Sequence, residues 1–112
     1  MAWLTSKILV HLLLRRAQAA GGFVSVLASG DDMAGSILVQ CSHRGIAGPL
    51  LERHFSADGT YIWEPVGPGE SDDDESRRNY RERRRKADPD LWIVELDIAD
   101  APRLVAEWGA LT

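Results

Sequence analysis

The segment Leu91-Trp92-Ile93-Val94-Glu95-Leu96 constrains the fold of this chain more than any other. Side chains of a strand point alternately to opposite faces, and at the start of this one both alternating positions are apolar. Neither face tolerates water there, so the strand belongs inside a sheet, with layers packed over it.

The remaining sequence supplies those neighbours. Thr5 or Ser6 is placed to cap a helix that runs to about Ala20 and stops at Gly21-Gly22. Its wheel sets Ile8, Leu9, Leu12, Leu13, Ala19 and Ala20 on one broad face and Lys7, His11, Arg15 and Gln18 on the other. Arg16 projects from the apolar face. Two strand-like runs follow, Phe23–Ala28 and Ser36–Ser42, joined by S-G-D-D-M-A-G; the second alternates as a half-buried strand does. Two more, about Leu50–Ser56 and Thr60–Val66, flank Asp58-Gly59, a pair that tolerates the positive φ of a tight hairpin turn. Near the C-terminus Asp100 is placed to cap a short helix with Pro102 in its first turn, closed by Gly109. The predicted fold is therefore α+β: a five-stranded, mostly antiparallel sheet in the order α-β-β-β-β-α-β-α, covered by helices. With 112 residues, one domain spanning residues 1–112 is expected.

The helix before the last strand has unusual composition. Seven of the thirteen cationic side chains fall between Arg77 and Lys86, directly behind Asp72, Asp73, Asp74 and Glu75. Acid first and base last suits a helix dipole, and Asp73–Arg77, Asp74–Arg78 and Glu82–Lys86 are acid-before-base pairs at i,i+4. Ser71 with Asp74 resembles a capping box, and Asp88-Pro89 ends the helix. With Tyr80 and Ala87 as its only apolar members of note, it is expected to pack along a narrow line and otherwise face solvent. The alternative is a nucleic-acid surface formed by Arg77, Arg78, Arg81, Arg84 and Arg85, with Tyr80 stacking on a base. The formal net charge of −4 gives the whole molecule no long-range attraction for phosphate, so such binding would rest on this patch alone.

Other candidate chemistry is sparse. Arg16, with Arg15 beside it, is expected to meet Asp31, Asp32 or Glu95, as a structural ion pair or as a charged pocket. Cys41 with His43 and His54 offers a thiolate and imidazoles, but without a second cysteine the expected role of Cys41 is a buried structural residue. Phosphate-binding glycine loops and nucleophile elbows are absent from the sequence. No catalytic, metal or cofactor site is assigned. Of the four tryptophans, Trp92 and Trp108 are expected in the core, while Trp3, Tyr61 and Trp63 are the candidate protein-contact patch.

The N-terminus imitates a secretory leader, with Lys7 ahead of an apolar run and Ala17-Gln18-Ala19 behind it. Arg15 and Arg16 stand where a leader carries no charge, and the run falls short of the roughly 20 residues that span a bilayer. A core helix of a cytoplasmic protein is expected, with no membrane partner.

Two stretches resemble a small alphaproteobacterial family known as a domain of unknown function. One is Leu13 to Val39, with a paired-Arg helix, a glycine, a strand, Gly-Asp-x-x-Ala-Gly and a second strand. The other is Asp88 to Asp97, similar to the family's Asp-Pro-Asp-x-Trp signature before a hydrophobic strand. The resemblance implies the same fold and a cytoplasmic location, and it carries over no activity. The functional expectation is a non-catalytic protein-interaction or accessory module, with a homodimer through the Asp58-Gly59 hairpin as one form of it. The alternatives are an RNA- or DNA-contacting protein, and a small-molecule-binding protein or enzyme.

Overall fold

The computed structural model describes residues 5–69 and 73–111, with side-chain surroundings as far as Glu107. Its elements are α1 (Ser6–Ala19), β1 (Phe23–Ala28), β2 (Ile37–His43), β3 (Ile46–Phe55), β4 (Tyr61–Val66), α2 (Asp74–Ala87), β5 (Trp92–Asp97) and α3 (Ala101–Leu111). The α+β order read from the sequence is present. The sheet runs β1-β5-β2-β3-β4. β5 lies between β1 and β2, antiparallel to the first and parallel to the second, and the other pairs are antiparallel. No helix among the described residues is long and apolar enough to cross a membrane.

One face of the sheet is covered by α1 and α3. Leu9, Val10, Leu13 and Ala17 of α1 pack there on Ile37, Val39, Cys41, Leu51, Trp92, Val94 and Leu96, with Ala101 and Val105 of α3. This shifts the buried arc of α1 from the expected one: Ile8, Leu12, Ala19 and Ala20 are exposed. Residues 8–14 are apolar almost all round, so periodicity alone does not select the buried arc; contact with β5 and α3 does. The other face has a smaller apolar cluster, Leu38, Leu50, Leu91 and Ile93, beneath Tyr80 of α2. Covered on both sides, β2 is buried from Ile37 to Ser42, which corrects the half-buried expectation.

The two stretches that carry the family resemblance pack against each other. The Asp31 amide donates to the Asp90 carbonyl at 3.0 Å, the Trp92 amide to the Ser36 carbonyl at 2.8 Å, and the Trp92 indole to the Asp31 carbonyl at 2.7 Å. A Cβ on Gly30 or Gly35 would collide with the Asp90 carbonyl, so neither position admits a side chain without movement. The same loop serves α1. Ser6 and Lys7 donate their amides to the Met33 and Asp32 carbonyls, and Ser6 Oγ donates to the Gly35 carbonyl at 2.6 Å. Orphan donors of a helix N-terminus are thus satisfied by a turn rather than by water.

β2 and β3 join through Arg44 and Gly45, both at positive φ (53° and 78°), a two-residue turn whose twist suits a hairpin. Asp97 at the end of β5 clamps it, accepting from the Arg44 and Gly45 amides at 2.7 and 2.9 Å. These hydrogen bonds, that to Gly45 foremost, hold the Asp97 carboxyl below its ordinary pKa. A register shift follows between Gln40 and Ser42, opposite Gly48-Pro49. Proline has no amide to offer a ladder and is at home in such a bulge. The buried Gln40 amide bridges the irregularity, donating to the Cys41 and Gly48 carbonyls at 2.9 and 3.0 Å.

Candidate binding cleft

α2 is capped by Asp73, whose side chain accepts from the Ser76 amide at 2.8 Å; Ser71 and Asp72 lie outside the described residues. The helix packs along a narrow line and is otherwise exposed, as its composition suggests, but the line is made mostly of arginines. Arg77, Tyr80, Arg81, Arg84 and Arg85 follow the i, i+3, i+4, i+7, i+8 spacing of one helical face, and that face is turned to the sheet. Arg77 is 2% exposed, with Nη2 on the Gly69 carbonyl at 2.6 Å and Nη1 near Asp74 at 3.4 Å. Arg81 donates to Gln40 Oε1 at 2.8 Å. Arg84 grips both oxygens of Glu52, at 2.6 and 2.9 Å, and donates to the Tyr80 hydroxyl. Arg85 donates to the Ser29 and Leu91 carbonyls at 2.6 and 2.7 Å. The bonds to Glu52 hold the Arg84 pKa above its ordinary value, so the cation is permanent.

The five arginines nominated as a nucleic-acid surface therefore do not share one outward face. Arg77, Arg81, Arg84 and Arg85 reach inward, and Arg78 alone of the five is exposed. Of the acid-before-base pairs expected along the helix, the described residues show Arg77–Asp74 at i,i+3 instead. Polar strand positions drew the arginines in: Gln40 and Glu52 point to this face because β2 and β3 alternate, and each presents an acceptor that needs a donor.

Between the flank of α2 and the β1 side of the sheet lies a cleft of about 440 Å³. Its floor is Leu27, Ala28 and Ile93, and its wall is Arg78, Arg81, Glu82, Arg85 and Lys86. Arg78 and Arg81 also line a smaller cavity of about 200 Å³ that reaches Gln40, Arg77 and Glu95. Along the cleft runs the open edge of the sheet. Among the described residues β1 pairs with β5 alone, and its sequence F-V-S-V-L-A has neither charge nor proline. Phe23 is 79% exposed, and Val26 and Leu27 are exposed beside it. Leu27 sits in the bulge where the β1–β5 register shifts. The opposite edge, β4, carries Glu64 and Pro65, residues that discourage further pairing.

The other candidates lie apart. Arg16 meets Glu107 of α3 at 3.9 Å, with both side chains well exposed, and not Asp31 or Glu95. Asp31 accepts from the Met33 and Ala34 amides in its own turn, and Glu95 lies on the α2 face of β5 beside Gln40. The expected Arg16 pairing is thus corrected: Arg16 sits at the rim of the buried arc of α1, where α3 is the nearest element. Trp3 and the Trp108 side chain lie outside the described residues. Trp63 turns to the α1/α3 core, whereas Tyr61 lies at the hairpin end under the Arg53 guanidinium, 3.7 Å from its ring centre. Burial is the main cause that lowers the Arg53 pKa. Cys41 faces the α1/α3 core and His54 the other side, beside Glu64 at 2.8 Å, so these two lie on opposite faces, while His43 lines a cavity of about 310 Å³ together with Cys41.

The family described as protein of unknown function (DUF1491) matches residues 4–106. The fold is similar to the crystal structure of a DUF1491 family protein from Caulobacter crescentus CB15, with 32% identity and a TM-score of 0.78 over 87% of this chain and 90% of that one. An NMR structure of a DUF1491 family protein from the same organism gives 34% identity and a TM-score of 0.75, covering 89% and 90%. The solution structure of a protein from A. tumefaciens gives 29% identity and a TM-score of 0.75, covering 92% of each chain. No curated protein matches this chain. The chain belongs to the DUF1491 family, proteins of unknown function.

Proposed function

We propose that this protein is a non-catalytic protein-interaction module that binds its partner at the β1 edge. The observation that carries this reading is the contrast between the two sheet edges: β4 is guarded by Glu64 and Pro65, and β1 is open, uncharged and flanked by exposed apolar side chains. An edge without charge or proline, interrupted by the bulge at Leu27, presents unpaired amides and carbonyls that another chain can satisfy. A cytoplasmic setting fits Cys41 as the sole cysteine of the sequence.

Affinity capture from the native cell tests the reading, using wild type and a Val26→Asp/Leu27→Asp variant, each with and without nuclease. Partners that wild type retains, the variant loses and nuclease spares would support it. Partners retained equally by both, or released by nuclease, would contradict it; the latter outcome would restore the RNA- or DNA-contacting alternative. A homodimer through the β3–β4 hairpin is a second reading, favoured by Phe55 and Tyr61, which are exposed there and meet edge to face at 5.0 Å. Sedimentation equilibrium of wild type and Phe55→Lys separates it from the first.

A further inference from the structure

The cleft beside β1 carries an excess of cations on a molecule that is otherwise acidic, and part of that charge has no carboxylate bonded to it among the described residues. Arg84 is matched by Glu52 and Arg77 by Asp74. Among the described residues, Arg81 and Arg85 are held by neutral acceptors, the Gln40 amide oxygen and two backbone carbonyls. Those bonds fix the guanidinium groups in place without cancelling their charge. Arg78 makes no hydrogen bond or ion pair with the described residues. Lys86 adds a further cation; Glu82 is the carboxylate in the wall of the larger cavity, and Asp74 and Glu95 line the smaller one with Arg77, Arg78 and Arg81, leaving the cations in excess. A pre-positioned cationic wall thus stands over an apolar floor, on a protein of formal net charge −4.

Dimensions connect this wall to the open edge. Arg78 and Arg85 are seven residues apart, which at the helical rise of roughly 1.5 Å per residue spans about 10 Å. Alternate side chains of an extended strand recur roughly every 6.5–7 Å, so two of them fit along that wall. A strand added outside β1 would turn one set of alternating side chains towards α2 and the other set to the α1 side, where Val26 is exposed.

We infer that the cleft takes an extended acidic segment of a partner protein, laid beside β1 as a sixth strand, with carboxylates on the α2 side and apolar side chains on the other. This inference rests on the interaction reading above and names the chemistry of the partner. The β1 backbone supplies affinity in a sequence-tolerant way, and Arg78, Arg81, Arg85 and Lys86 select for acid. The overall negative charge of the protein makes the selection local: an acidic segment is favoured in this cleft and repelled over much of the remaining surface.

The test is fluorescence anisotropy of two labelled short peptides, one alternating Glu and Val and the other alternating Lys and Val, titrated with the full chain. The Glu–Val peptide should bind, more weakly as salt is raised, and the Lys–Val peptide should not. Arg78→Glu changes an exposed residue and should weaken binding at least about tenfold while leaving the circular dichroism and urea midpoint unchanged. Glu82→Lys should strengthen it, a gain that a damaged fold does not produce. Equal binding of the two peptides, or indifference to both substitutions, would overturn the inference. Binding of a single-stranded RNA in preference to the Glu–Val peptide would do the same. Should neither peptide bind while Val26→Asp/Leu27→Asp still releases captured partners, the acidic segment is wrong and the β1 interface stands. If that variant also retains every partner, both fail.

Discussion

Arg84 of α2 and Glu52 of β3 face each other with two parallel hydrogen bonds, Nη1 to Oε1 at 2.6 Å and Nη2 to Oε2 at 2.9 Å. The pair bolts a helix of very low hydrophobicity to the sheet. Both groups are largely withdrawn from water, with 27% and 11% of their side chains exposed. Removing one partner leaves the other desolvated and unmatched. Arg84→Met should cost about 3 kcal/mol in urea unfolding, somewhat below a fully buried pair because of the residual exposure. The double variant Arg84→Leu/Glu52→Leu should recover much of that loss, since two well-packed apolar residues often replace such a pair without penalty. A single variant that unfolds at the wild-type midpoint would show that the contact contributes nothing.

This docking also marks where sequence reasoning stops. The strand around Trp92 is legible because apolar residues on both faces have one physical solution, burial. α2 is not, because hydrophobic periodicity does not register arginines. Yet the signal exists: Arg77, Tyr80, Arg81, Arg84 and Arg85 share one helical face, and Gln40 and Glu52 interrupt strands as the polar acceptors that face would need. Pairing across 32 or 41 residues depends on strand order, which neither segment contains. For the same reason the partner of Arg16 was out of reach, since Glu107 becomes its neighbour only once α3 crosses α1. The cleft itself is a product of tertiary packing, with its floor on β1 and β5 and its wall on α2.

Trp92 is 4% exposed in the α1/α3 core and also bonds the Asp31 carbonyl through its indole. Trp92→Ala should cost about 3–5 kcal/mol, and Trp92→Phe about 1–2 kcal/mol, the smaller figure reflecting the lost hydrogen bond. Equilibrium denaturation of both variants checks the order; equal losses would mean that the indole bond carries no weight.

Gly30 and Gly35 enclose the Asp90 carbonyl too closely for any side chain. Gly30→Ala and Gly35→Ala should each lower stability by about 3 kcal/mol or more, because the obstacle is backbone and gives way poorly. Alanine at Gly59, where nothing lies near the added carbon but φ is +89°, should cost about 1–2 kcal/mol from backbone strain alone. Thermal melts of the three variants should keep that order.

Arg15→Met and Arg16→Met should each change stability by no more than about 0.5 kcal/mol, because the Arg16–Glu107 contact is long and exposed. A large effect confined to Arg16 would place it in a buried pairing instead.

Asp97 gives the molecule a pH dependence with a definite sign. Its folded-state pKa is depressed by the Gly45 and Arg44 amides, so its contribution is present above the unfolded value of about 3.9 and is lost as pH falls through the folded value. The stability gap between wild type and Asp97→Ala should therefore be full at neutral pH and close on acidification below about pH 4. A gap that widens on acidification would contradict the clamp. Asp58, drawn down to about 2 chiefly by Ser56 and then by Thr60, should titrate last among the hairpin groups in an NMR titration.

Amide hydrogen exchange of residues 23–28, with and without the captured partner, tests the central claim most directly. Bound partner should slow exchange along β1, where the outward amides gain acceptors, and leave residues 61–66 of β4 as they are in the free protein. Protection confined to β4 and the hairpin tip, or none at β1, would contradict it.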